Sequence, residues 1–77
     1  MNAKNVNFGN MEEIIFVVKE SEEGGFIATA LGHSIVTDGD TMEELRTNVK
    51  EAVQCHFDDD SPKIIRLHVV KEEVFAA

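Results

Sequence analysis

Cysteine is nearly absent. Only Cys55 of the 77 residues carries a thiol, so no disulfide can form within the chain. That usage predicts a reduced, cytoplasmic setting. Bases are scarce as well. Seven lysines and arginines stand against fifteen aspartates and glutamates, a formal net charge of -8. Phosphate backbones would be repelled, so no direct nucleic-acid binding is expected. A basic protein partner would be attracted, although plain solubility accounts for the same charge. No apolar run approaches membrane length, so no membrane association is expected. The opening "MNAKNVNFGN" has no apolar centre and does not read as a signal peptide. Internal repeats and low-complexity segments are missing too.

What is present is 43% apolar residues, too many for a disordered chain. The length suits one small domain of marginal stability, for which self-association into a homodimer is the default expectation. Residues 1–11 read as a flexible leader, and residues 12–77 as the domain. Glu13–Glu20, "EIIFVVKE", is β-branched and aromatic and predicts a strand. Its apolar run, Ile14–Val18, is nearly unbroken, which predicts a central strand covered on both faces. "SEEGG" is a turn in which Gly24 and Gly25 can adopt positive φ. Phe26–Leu31 predicts a second strand, and "IVT", residues 35–37, a short third one.

At Thr41 the apolar period changes. Leu45, Val49, Ala52, Val53 and His56 recur at helical spacing. Thr41 and Glu44 have capping-box spacing, and acids in the first turn suit the helix field. Glu43, Arg46, Lys50 and Gln54 fall on the exposed face, where Glu43 and Arg46 can pair. The helix should end near Phe57, before "DDDSP". Lys63–Val70, "KIIRLHVV", predicts the fourth strand. The fold class is therefore α+β, in the order β-β-β-α-β, with one helix packed on one face of one sheet. Apolar residues left on the other face would suggest a dimer interface.

The polar run "TDGDT" invites a reading as an ion site. Asp38 and Asp40 lack the downstream ligands of a calcium loop, and they would repel a phosphate. The run instead predicts a strand-to-helix corner. Gly39 allows the tight turn, and Asp40 or Thr41 accepts the free helix N–H groups, with Glu44 favouring Thr41. His33, His56 and His68 form no metal spacing with Cys55, so neither metal nor cofactor is expected. Cys55 is expected in the core or at its edge. His33, in the most irregular loop, is the best single histidine for function, with a hydrogen-bonding role as the plainer account. No serine–histidine–acid set is visible. The acidic run Asp58, Asp59, Asp60 reads as a solvated helix end or as a surface for a basic protein.

Residues 13–57 resemble the HicB-like antitoxin family. The likeness lies in a hydrophobic strand followed by "EEGGFIATALG", then "IVTDGDTMEEL", then "NVKEAV" on the helix. Thr37, Gly39, Asp40, Thr41, Glu43, Glu44, Asn48, Glu51 and Ala52 stand at matching places. The resemblance implies a degenerate ribonuclease-H-like fold and an antitoxin that masks a small, basic, RNA-cleaving HicA-like toxin. Full-length members often add a C-terminal DNA-binding domain. This chain ends soon after the fourth strand, so operator binding is not expected. The proline-rich loop of the family is replaced here by "ALGHSI", with His33 and Ser34 where many members have Pro-Gly-Cys. A fold likeness does not carry nuclease activity with it.

The expected function is protein binding, not catalysis. Glu22, Glu23, His33, Ser34, Asp58, Asp59 and Asp60 are the candidate partner-binding residues. Gly24, Gly25, Gly39, Asp40, Thr41 and Glu44 are assigned to the turn and the helix cap. The alternatives are a stand-alone homodimeric structural or regulatory protein and, last, a metal-dependent nuclease using Asp38 and Asp40.

Overall fold

The computed structural model describes residues 11–59 and 61–77. The leader expected over residues 1–11 therefore lies outside the description, except for the half-buried Met11. The elements are β1 (Glu12–Glu20), β2 (Phe26–Ala30), β3 (Val36–Gly39), α1 (Met42–His56) and β4 (Lys63–Val70). They form one four-stranded sheet in the order β3-β2-β1-β4. β1 pairs antiparallel with β2 and parallel with β4, and β2 pairs antiparallel with β3. The predicted order and fold class hold.

Burial explains why β1 is central. Ile14, Phe16 and Val18 are fully buried beneath α1, because strand side chains alternate between faces. Their register partners Ala28 and Ala30 on β2 are small, which lets the helix lie close to the sheet. Leu45, Val49 and Val53 supply the buried stripe of α1, and Ile35 joins them from the loop before β3. Phe26, Met42, Ala52, Phe57, Ile65 and Leu67 pack around this core.

Several boundaries and environments differ from the sequence expectation. β1 is central but not covered on both faces: Ile15 and Val17 are only half-buried, because the single helix covers one face. β2 stops at Ala30, although the Leu31 N–H still donates to the Ile15 carbonyl at 2.8 Å. β3 starts at Val36 and runs to Gly39, one to two residues later than predicted. Cys55 is exposed. It lies two residues, about 200° of helical turn, from the buried Val53, so it points away from the sheet. Glu43 and Arg46 form no ion pair. The residues after Val70 have no regular structure and are exposed.

Candidate functional site

The corner after β3 is built as a cap. Thr41 has extended backbone angles, φ -131° and ψ 164°, and its side chain accepts from the Glu44 N–H at 3.0 Å. The Glu44 carboxylate accepts in return from the Asp40 N–H at 2.8 Å, one residue earlier than in the usual capping box. Asp40 thus contributes its backbone, while Thr41 contributes its side chain. Asn48, one turn further along, donates to the Asp38 carbonyl at 2.7 Å and ties α1 to β3.

Two glycines let these pieces meet. Gly39 is buried without a left-handed backbone, so its role differs from the turn predicted for it. A Cβ there would lie 2.5 Å from the Leu45 nitrogen, which means that α1 rests directly on the strand backbone. Gly25 has φ +81°, and a Cβ on it would come within 2.7 Å of the Gly39 carbonyl oxygen. Gly24, at φ +97°, has open space around it and serves the turn alone. The Gly24 N–H donates to the Ser21 carbonyl at 3.0 Å, and the Ser21 N–H to the Gly25 carbonyl at 2.9 Å, which closes that turn.

This packing gathers charge. The β1–β2 turn, the end of β3 and the N-terminus of α1 all lie at one end of the sheet, because Phe26 pairs with Gly39. Glu23 lines a shallow cleft there with Asp38, Asp40 and Glu44, and Glu20 and Glu22 lie at the same end of the sheet, at the close of β1 and on the β1–β2 turn. β4 runs parallel to β1, so Val70 ends beside Lys19 and the following Glu72 and Glu73 arrive at the same end. Lys19 and Lys71 are the bases among them. Beside this acidic end, on the sheet face away from α1, lies a hollow of about 700 Å³. Val17, Ile27, Thr29 and Leu31 line it, with Lys19, Glu20, Glu22 and Glu23 at its rim. Ile27 and Leu31 remain 40% and 54% exposed.

The remaining candidates lie elsewhere. β4 begins beside Glu12, so Asp58 and Asp59 stand at the opposite end of β1 from Glu22 and Glu23, roughly 25 Å away at strand rise. The two acidic runs do not form one surface. Asp60 lies outside the described residues. Asp59 is also engaged: it accepts from Lys63 Nζ at 2.8 Å and from the Ser61 hydroxyl at 2.7 Å. The Lys63 hydrogen bond, followed by those of Ser61, holds its carboxyl down to about 2. Lys63 Nζ lies 5.1 Å from the centre of the Phe57 ring as well. Arg66 donates to Glu13 at 2.7 Å and lowers that carboxyl in the same way.

His33 joins this far end. Its half-buried ring makes no hydrogen bond among the described residues. It packs edge-on against Phe57 at 5.0 Å and His56 at 6.0 Å. Ser34 is exposed beside it. Among the described residues, no group of three or more histidines, cysteines or acids is placed to hold a metal ion, and no helix is long and apolar enough to cross a membrane.

Sequence reasoning missed the hollow, the share of Glu72 and Glu73 in the acidic end, and the strand tie made by Asn48. The alternate phase of β1, Ile15 and Val17, was the available signal for the first. No local signal existed for the others, since strand order alone brings the tail to the turn.

The chain matches no protein-family model, and no solved structure matches it at a significant level. Two proteins are similar to it over most of their length. A UPF0150 protein of Thermotoga maritima is 46% identical over 65 residues, 84% of this chain and 93% of that protein. A UPF0150 protein of Archaeoglobus fulgidus is 46% identical over 55 residues, 70% of this chain and 82% of that protein. With such identity across nearly the whole domain, the chain belongs to the UPF0150 family.

Proposed function

We propose that this chain is a HicB-like antitoxin-type protein, a cytoplasmic binder and not a catalyst. It docks on a small basic HicA-like toxin and masks the surface with which that toxin meets RNA. The observation that carries this reading is the gathering of acids from the β1–β2 turn, the β3–α1 corner and the tail at one end of the sheet. Such a surface steers a basic protein to one place. The apolar hollow beside it offers a seat for an anchoring side chain, the usual source of affinity inside a polar rim. Glu22 and Glu23 belong to this docking end. Asp58 and Asp59 do not, because they face away from it.

The test is co-purification with the short basic protein encoded beside this chain, at low and high salt. A complex that forms at low salt and weakens at least tenfold with Glu22→Lys and Glu23→Lys supports the reading. Absence of a complex with any basic neighbour defeats it. The second reading, a stand-alone homodimer, draws on the uncovered apolar positions Ile27, Leu31, Val36 and Val70.

A further inference from the structure

We propose that the free edge of β4 pairs antiparallel with β4 of a second copy, in a register centred on Leu67, giving a continuous eight-stranded sheet. β4 is an outer strand. Its eight residues leave a row of backbone donors and acceptors facing away from β1, whereas the other edge, β3, has only four residues. Natural edges are blunted by proline, free charge, bulges or a covering element. Among the described residues no proline, bulge or covering element protects β4. Its one nearby proline, Pro62, precedes the strand, and α1 makes its closest approaches to β3 and β2. Both cations of the strand are already engaged within the chain, Lys63 by Asp59 and Arg66 by Glu13.

The side chains select a register that only a second copy of this strand provides. Pairing with β1 puts Ile65, Leu67 and Val69 on the helix face, and Ile64, Arg66, His68 and Val70 on the open face. A two-fold axis through Leu67 sets Leu67 opposite itself, Ile65 opposite Val69 and Ile64 opposite Val70. Every apolar residue of the strand then meets an apolar residue on the same face. Arg66 stands opposite His68, and Lys63 opposite Lys71, with Asp59 alongside. Centring on Arg66 would stack two guanidinium groups. Centring on His68 would set Ile64 against Glu72 and Ile65 against Lys71. Val69 and Val70, 53% and 42% exposed in the single chain, are covered without facing a charge in the Leu67 register but not in the Arg66 or His68 register. A two-fold pair of this kind is self-complementary and closed, and it enlarges the buried fraction of a small domain.

A cysteine scan in a Cys55→Ser background tests the register. Directly opposite Cα atoms are about 4.5–5.5 Å apart, inside the disulfide range of about 4.4–6.8 Å. Leu67→Cys should therefore oxidise to a covalent dimer of twice the 8.6 kDa chain mass. His68→Cys should not, because its own copy lies diagonally, about 7–8 Å away. Val69→Lys places a charge opposite Ile65 at an already exposed position. It should yield a monomer by sedimentation while the far-ultraviolet circular dichroism stays unchanged. A native chain that sediments as a monomer at high micromolar concentration overturns the proposal. So does His68→Cys cross-linking as readily as Leu67→Cys. Neither outcome depends on whether a toxin binds.

Discussion

At the scale of single residues, the corner after β3 concentrates the constraint. Gly39 has no room for a methyl group, since the Leu45 backbone occupies the space where a Cβ would stand. Gly39→Ala forces α1 away from the sheet and is expected to cost about 1–3 kcal/mol, the range for overpacking. In a domain of this size each kcal/mol lowers Tm by roughly 4–8 °C, which thermal unfolding can read. Thr41→Ala removes the cap acceptor and should cost about 1 kcal/mol, with Thr41→Ser restoring most of it. Asp59 makes a pH prediction. Its carboxyl is held down to about 2 from an ordinary 3.8, so its contribution to stability is present above 3.8 and is lost as pH falls through about 2. Glu13 shifts in the same direction. Urea unfolding of the native chain and Asp59→Asn should differ at pH 5, with the difference shrinking away as pH falls through about 2. A constant difference would refute the linkage.

Among the elements, α1 shows best how much a local pattern determines. Leu45, Val49 and Val53 were legible as the core stripe because a helix repeats every 3.6 residues. Leu45→Ala is expected to cost about 2–5 kcal/mol. Cys55→Ser, on the opposite side of the same helix, should stay within about 0.5 kcal/mol. Denaturant titration of the two variants tests that contrast. β1 shows the limit of the same reasoning. An unbroken apolar run fits a strand covered on both faces, yet Ile15 and Val17 are only half-buried and Val17 lines a hollow. Periodicity cannot tell a second covered face from one that is left apolar and open in the single chain. β4 was placed residue for residue, since its β-branched run begins just after Pro62 and ends before a charged tail.

For the molecule as a whole, the decisive feature is the uneven spread of acids between the two ends of the sheet. Charge reversal at Glu22 and Glu23 touches only exposed side chains of a turn. It should change the stability of the isolated chain by less than about 0.5 kcal/mol and still disrupt a complex with a basic protein. Reversal at Asp58 should leave that complex intact, because this residue stands at the other end. Equal losses from both ends would refute a single acidic docking surface. Association rates with the proposed basic partner should also fall steeply with ionic strength, as for any electrostatically steered encounter.

The sequence by itself determined the elements, their order, the helix stripe and the cap, because each depends on residues near one another along the chain. It also carried the resemblance from which the functional proposal starts. Only the tertiary structure decided which acids share a surface. The parallel pairing of β4 with β1 brings Glu72 and Glu73 to the β1–β2 turn and sends Asp58 and Asp59 to the far end. Two acidic runs that look equivalent in one dimension are thereby separated by the length of a strand. The place of Gly39 was settled in the same way, since its missing side chain matters through contact with a helix that begins three residues later.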